Sequence, residues 1–351
     1  MSSNKILVIG GGPAGLEAAR SVAELGGEVI LLEKRERLGG TPDRENYAKL
    51  THHWRDASEA MAELAASVTS SARVEVKYNA EVKGMSGSAG NFNVEIEAGG
   101  VAESLNVGAV IVATGFQHFD PGRATQQYNY YTFPDVVTLT DLEKMLKDHH
   151  VVRPSNGEAP KKIAFIQCVG SRDRRIGNEY CSKVCCGIAS KQAIELRELL
   201  PDSKVMIFYI DMRMYGYWEN EIYWPAQEKY KVNYVKGVIS EVLKKGDQLL
   251  IRGEDTTMGR PMEVTMDMVV LSIGMEPSAG TRAIAQTLGV KQNKYGFIEA
   301  GGEGGLDTVA TSAPGVFVAG AAAGPADLND SISMAGLAAA RAVAAAQKVA
   351  A

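Results

Sequence analysis

The chain has 351 residues, 45% of them hydrophobic and 23% charged, with 37 basic against 42 acidic residues and a formal net charge of −5. That is enough apolar material for two domain-sized cores, and it lacks the basic excess that nucleic acid or an anionic membrane surface demands, so neither is expected as a partner. No long apolar segment precedes the first strand-like run, and Arg341 and Lys348 interrupt the Ala-rich C-terminal stretch, so a soluble, cytoplasmic protein is expected.

Residues 5–9 (KILVI) form a continuous apolar run, followed by GGGPAG and then by Leu16, Ala19, Val22 and Ala23 at helical spacing. A second run, Val29 to Leu32, completes strand, glycine turn, helix and strand, which implies a parallel sheet with a right-handed crossover. The pattern predicts a helix over about 51–67, and an antiparallel meander from segments at 74–78, 81–85, 92–97 and 101–106. The strand AVIVATG at 109–115 follows. The plan repeats in the second half, with strands at 161–167 and 205–210, a helix across about 180–200, meander-like stretches at 232–253 and 262–267, and the strand MVVLSIG at 268–274. After TRAIAQTLGV, a strand with a glycine turn (GVFVAGAAAG) and a last helix over about 331–348 are expected to complete the first sheet. The expected fold is therefore α/β with two Rossmann-like domains: residues 1–119 with 277–351 form the first, and residues 120–276 are inserted as the second.

Gly10, Gly12 and Gly15 spell GxGxxG between the first strand and the first helix, the context that makes this motif a dinucleotide site. Gly10 permits the tight turn, Gly12 lets a pyrophosphate approach the backbone, and Gly15 lets the helix pack closely on the strand. The helix N-terminus supplies amide donors and a positive dipole end. Glu33, at the end of the second strand, is placed to accept bonds from ribose hydroxyls.

The corresponding turn in the second half carries only Gly170 and Gly177, so no second fingerprint forms there. All four cysteines of the chain sit there instead: Cys168, Cys181, Cys185 and Cys186. Helical spacing would put Cys181 and Cys185 on one face with Cys186 beside them, and Cys168 at the carboxyl end of the neighbouring strand. Buried inert thiols, a structural zinc site and an iron–sulfur cluster are the three readings of such a group. Paired CxxC spacings typical of zinc are missing, and four soft thiolates beside a helix N-terminus suit a cluster. A redox disulfide is disfavoured because no CxxC occurs and the stretch GGTPDRENY after Glu33 has no cysteine.

Glu33 followed after five residues by Gly39-Gly40, with Ala113-Thr114-Gly115 and GVFVAGA at 315–321, resembles the FAD domain of the two-dinucleotide-binding-domain flavoproteins of thioredoxin-reductase-like fold. By that resemblance FAD is contacted by Gly10, Gly12, Pro13, Ala14, Gly15, Glu33, Lys34, Gly39, Gly40, Thr41, Val82, Ala113, Thr114 and Gly115. Gly320, Ala321, Ser331 and Ile332 contribute from the last strand and helix. Ala321 stands where that family usually has an Asp on a ribityl hydroxyl, a bond worth about 1.5–3 kcal/mol, and Asp327 or Asp330 is a candidate replacement.

FIQCVGSRD, YCSKVCCGIASKQA and FYIDMR are similar to the A subunit of heterodisulfide reductase and its relatives in sulfur oxidisers, as is the segment GVFVAGAAAGPADLNDS. That resemblance implies FAD, and a 4Fe-4S cluster on Cys168, Cys181, Cys185 and Cys186. It also implies electron exchange with iron–sulfur B and C type subunits; the residues themselves show no obvious catalytic acid or base, so an oxidoreductase that exchanges electrons at FAD is expected. Without the extra ferredoxin-like cysteine clusters of the methanogen type, the chain resembles the short A-like subunit of the sulfur-oxidation complex. A homodimer is expected as well. The alternative class is a self-contained NAD(P)H-dependent flavin oxidoreductase.

Nine aromatic residues fall between Phe208 and Tyr234, including Tyr215, Tyr217, Trp218, Tyr223 and Trp224; core or lid is the plain reading and a protein interface the other. His52-His53 and His149-His150 lack metal-type spacing and read as solvated positions.

Overall fold

A computed structural model of the chain describes residues 3–51, 53–123, 126–302 and 305–348. In chain order, β1 (Lys5–Ile9), α1 (Pro13–Glu24), β2 (Glu28–Leu32), α2 (Gly40–Arg44), α3 (Ala57–Thr69) and β3 (Val74–Lys77) come first. Next are β4 (Ala80–Ser88), β5 (Asn91–Ala98), β6 (Val101–Val107), β7 (Ala109–Val112), β8 (Phe116–His118), β9 (Val136–Thr138) and α4 (Leu139–Lys147). They are followed by β10 (Lys162–Val169), α5 (Cys185–Leu199), β11 (Lys204–Tyr209), α6 (Trp224–Glu228), β12 (Asn233–Lys245), β13 (Gln248–Asp255) and β14 (Arg260–Met266). β15 (Met268–Ile273), β16 (Met275–Pro277), α7 (Ala279–Leu288), β17 (Val316–Val318) and α8 (Leu328–Lys348) close the chain.

The chain divides into two compact units: Met1–Arg44, Asp56–Gln117 and Glu276–Ala351 make the first, Glu45–Arg55 and His118–Met275 the second. In the first, a parallel sheet runs β17-β7-β1-β2-β3. β1, β2, β7 and β17 read as nearly unbroken apolar runs because both faces are covered, whereas the edge strand β3 alternates. Ile6, Val8 and Leu31 pack with Leu16 and Val22 of α1 and Ala338 of α8. Leu7, Ile9 and Ile30 pack instead with Phe92 and Val94 of β5 and Ile284 of α7. The meander expected over 74–106 is confined to β4-β5-β6. β3 pairs in parallel with β2 instead, since the alternation VEVK fits either sheet and pairing alone decides.

The second unit carries a seven-stranded sheet, β14-β13-β12-β11-β10-β15-β9, parallel from β12 to β9. Ile163 and Phe165 of β10 and Met268 and Val270 of β15 face Ala189 and Ala193 of α5. Ala164, Ile166, Val269 and Leu271 face the other way, against Ile239, Leu249 and Ile251. Residues 45–55 are held in this unit by buried charge: Ala48 N donates to Glu143 Oε2 (3.0 Å), while Lys191 Nζ reaches Lys49 O (2.6 Å) and Glu143 Oε1 (2.6 Å).

Helix limits differ from the periodicity. α3 starts at Ala57 because the Asp56 carboxylate caps it through Glu59 N (2.9 Å). α5 starts only at Cys185, after a loop in which Arg172 N bonds Tyr180 O (2.9 Å) and Lys183 takes φ 65°. Cys181 therefore lies off the helix, and the shared face expected for Cys181 and Cys185 does not exist.

Candidate functional site

In the first unit the expected FAD residues gather at the carboxyl ends of the parallel strands. Gly10 follows β1, Glu33 follows β2, Ala113-Thr114-Gly115 follow β7, and Gly320 and Ala321 follow β17. The order in which the chain adds strands reverses between β1 and β7, the switch point where open α/β sheets bind ligands. The glycines differ in what enforces them. A Cβ on Gly15 would lie 1.7 Å from Gly10 O, and one on Gly10, whose φ is +108°, would lie 2.5 Å from Ala113 O. A Cβ on Gly12 would meet only Gly40 Cα, at 3.5 Å. The protein itself thus leaves the space in front of Gly12 open, above a helix whose first turn holds unpaired amides and no acidic side chain.

Glu33 is buried, and its carboxylate accepts Gly11 N at 2.7 Å and Arg35 N at 2.9 Å, which leaves lone pairs for further donors. Gly11 and Arg35 are missing from the sequence-derived set; the extra glycine of GGGPAG was the available signal. Arg35 also donates to Gly40 O (3.2 Å), joining the Gly39-Gly40 turn to Glu33. Lys34 is exposed and pairs with Glu81 (2.6 Å). Thr114 Oγ1 lies 2.8 Å from Thr281 Oγ1 at the start of α7, and Val82 packs with the core behind the sheet. Pro13 is the first residue of α1, Thr41 lies in α2 beside Gly40, and Ile332 follows Ser331 in α8.

Ala321 is buried and brings no polar side-chain group. A Cβ on Gly320 (φ +64°) would approach Ala14 Cβ to 2.8 Å and Ser331 Oγ to 3.3 Å, so these three positions share one corner. Asp327 and Asp330 cap each other at the entry to α8: Asp327 N donates to Asp330 Oδ2 (3.0 Å) and Asp330 N to Asp327 Oδ1 (2.8 Å).

In the second unit Cys168 is the last residue but one of β10 and has φ 62°, while Cys185 and Cys186 open α5, whose N-cap residue Val184 makes no side-chain cap. Lys183 N donates to Cys181 Sγ (3.3 Å) and Arg213 N to Cys186 Sγ (3.5 Å). Arg172 Nη1 lies 4.0 Å from Cys168 Sγ, and Cys185 Sγ lies 4.0 Å from Ile273 O. Burial pushes the Cys168 thiol up, against the pull of Arg172, and raises Cys185 further; Cys186 reaches about 11 by burial, opposed by the Arg213 amide. Charge on the other cysteines raises each of these three again, so the four sulfurs share one electrostatic neighbourhood. Among the described residues no three His, Cys, Asp or Glu side chains are gathered tightly enough to form a metal cage. What suits a soft metal group is the donor set: four thiols, backbone N–H bonds to two sulfurs, a helix N-terminus and two guanidinium groups.

The β10–α5 connection differs from the glycine turn of the first unit. A Cβ on Gly170 would fall 2.0 Å from the buried Phe119 ring, and fifteen residues separate β10 from α5 where three separate β1 from α1. The aromatic segment is split: Trp218 is buried against Gly187, whereas Tyr215, Tyr217 and Trp224 are exposed, Tyr217 to 81%. His53, His149 and His150 are exposed, and His52 lies outside the described residues. No helix among the described residues is long and apolar enough to cross a membrane.

A wound parallel sheet with an open glycine turn and a buried acidic residue at its switch point is the arrangement of a dinucleotide-binding domain. The chain belongs to the pyridine nucleotide-disulphide oxidoreductase family, whose model matches residues 4–347, and that membership supports FAD as cofactor. It is 32% identical to the A subunit of H(2):CoB-CoM heterodisulfide,ferredoxin reductase from Methanothermobacter marburgensis, over 97% of this chain and 63% of that protein. Identity is 31% to the A subunit of a ferredoxin/F(420)H(2)-dependent CoB-CoM heterodisulfide reductase from Methanosarcina acetivorans, over 95% of this chain and 52% of that protein. The chain thus spans less than two thirds of these relatives. Thioredoxin reductase of T. acidophilum superposes with TM-score 0.65 and 18% identity over 97% of this chain and 99% of its own. The thioredoxin-reductase-like, two-domain α/β fold expected from the sequence is the fold observed.

Proposed function

We propose that this chain is the flavin and iron–sulfur electron-transfer subunit of a heterodisulfide-reductase-like complex, working in cytoplasmic sulfur oxidation or in disulfide and thiol redox chemistry. One observation carries the reading: the strand–connection–helix segment that carries the glycine turn in the first unit carries four cysteines in the second, where fifteen residues separate β10 from α5. Flavin, when bound, exchanges electrons in pairs or singly, which suits it to stand between a two-electron substrate and one-electron carriers.

In this reading Glu33 orients the ribose, the α1 N-terminus and Gly12 receive the pyrophosphate, and Gly320 with Ala14 and Ser331 shapes the corner beside them. Cys168, Cys181, Cys185 and Cys186 hold a 4Fe-4S cluster whose negative charge the α5 N-terminus, Arg172 and Arg213 offset. Partners are iron–sulfur subunits of the B and C type and a second copy of this chain. In support, the four cysteines need no acid–base group to move electrons, and the names of the two methanogen relatives describe subunits rather than whole enzymes.

The test is iron, acid-labile sulfide and flavin analysis of anaerobically purified protein, with about four irons per FAD expected. Cys185→Ser should lower iron while FAD stays bound, because the two sites lie in different units. Zinc in place of iron, or unchanged iron in the variant, overturns the cluster assignment.

A further inference from the structure

The strands beneath the cysteine loop carry polar side chains that the protein leaves without partners. Gln167 is 6% exposed, Ser171 2% and Ser272 0%. Neither amide atom of Gln167 and neither hydroxyl has a hydrogen-bond partner among the described residues. A buried polar group without a partner is costly, and such groups are few in folded proteins, so several at one sheet edge call for a cause.

Their position supplies it. On β10, Ile163 and Phe165 face α5, and on β15 Met268 and Val270 do the same. Gln167 and Ser272 continue these two rows to the end of the sheet. The pairing register shifts between Ile166 and Val169, and both of these lie in the core on the opposite face with Leu271 and Ile273. Gln167 and Cys168 are therefore inserted together opposite Ser272, on the side where α5 begins with Cys185 and Cys186. Cys185 Sγ lies 4.0 Å from the carbonyl of Ile273, the residue after Ser272.

We propose that Gln167 and Ser272 donate hydrogen bonds to sulfur of the group held by the four cysteines, and so set how readily that group accepts an electron. The inference rests on the cluster reading above. An amide N–H and a hydroxyl are the donors that thiolate and sulfide sulfur accept, and both stabilise the more negative, reduced state. Their effect is to raise the reduction potential. They are positioning residues: they ligate nothing and transfer no electron themselves.

Gln167→Leu removes the amide at nearly constant volume, Ser272→Ala removes the hydroxyl, and Ser272→Thr restores one. In anaerobic, full-length protein each removal should leave iron and sulfide at the parental level and shift the one-electron equilibrium roughly tenfold toward the oxidised form. That shift corresponds to about 59 mV by EPR-monitored titration. Ser272→Thr should return the potential toward the parental value. In iron-free full-length chain, Gln167→Leu and Ser272→Ala should raise the melting temperature, since each deletes an unpaired buried group.

Parent and variants with equal iron and equal potentials would overturn this inference while leaving the cluster reading intact. Parent protein without iron and sulfide would overturn both. Lower melting temperatures of both removal variants, iron-free as well as iron-bound, would also overturn it, because they mark a purely structural role.

Discussion

Replacing Gly12 by Ala separates a ligand's demand for glycine from the fold's. Gly12 has φ −82° and ψ −177°, an extended conformation that Ala adopts before proline, and the new methyl would touch only Gly40 Cα at 3.5 Å. Reduced chain entropy in the unfolded state favours Ala by about 0.4–1 kcal/mol, and the poorer N-cap opposes it, so flavin-free stability should move by less than about 1 kcal/mol. The same methyl stands where a pyrophosphate must reach the amides of the first turn. Loss of one charge-assisted bond there costs about 1.5–3 kcal/mol, a roughly ten- to 150-fold weaker FAD affinity. At fixed FAD, a hundredfold weaker site forfeits up to about 2.7 kcal/mol of ligand-linked stability, visible as a lower holo melting temperature. Gly15→Ala is the contrasting control: its methyl would lie 1.7 Å from Gly10 O, so folding itself should fail. The assay is flavin-fluorescence titration of the apo-protein beside thermal denaturation with and without FAD. If Gly12→Ala binds FAD as tightly as the parent, the pyrophosphate does not sit on this turn.

Neither NADH nor NADPH should reduce the flavin quickly, because the β10–α5 connection, fifteen residues long with only Gly170 and Gly177, forms no second glycine fingerprint; rapid anaerobic bleaching by either nucleotide refutes this and favours the NAD(P)H-dependent alternative. Trp224→Ala should leave the fold intact and weaken self-association or subunit binding by about 2 kcal/mol if Trp224 anchors a partner. Trp218→Ala should cost about 3–5 kcal/mol of fold stability, and equally tight assembly of folded Trp224→Ala in pull-down and sedimentation experiments excludes Trp224 as that anchor. Burial raises the Glu195 carboxyl above its usual value, against the pull of Lys191, so its ionisation destabilises the folded chain. Its favourable contribution is full below the unfolded carboxyl pKa, about 4.3, and is lost as pH rises through the folded value. Glu195→Gln should therefore raise the melting temperature at pH 7 and not below about pH 4, and a pH-independent difference would contradict the assignment.

The first βαβ unit and its glycine turn were legible in the residues alone. Unbroken runs such as KILVI mark strands buried on both faces, and Gly10, Gly12, Gly15 and Glu33 stand at intervals that one local geometry requires. Clustering of the four cysteines was equally plain, but their arrangement was not. Helical spacing joined Cys181 to Cys185, whereas bonds across the loop, from Arg172 to Tyr180 and from Asp173 to Asn178, hold Cys181 outside the helix. Such pairings link residues by position in space and leave no period in the sequence.

Residues 45–55 show the same limit. Their place in the second unit depends on Lys191, which reads as an ordinary helix lysine until Glu143 and the carbonyl of Lys49 are found around its buried ammonium group. Gln167 did leave a trace, as the polar residue of IAFIQC beside a cysteine, yet its meaning needs the register shift that brings it opposite Ser272. Local periodicity and turn chemistry act over a few residues and can be read directly. Burial, register and charge pairing join residues distant in the chain, so tertiary packing alone decides them.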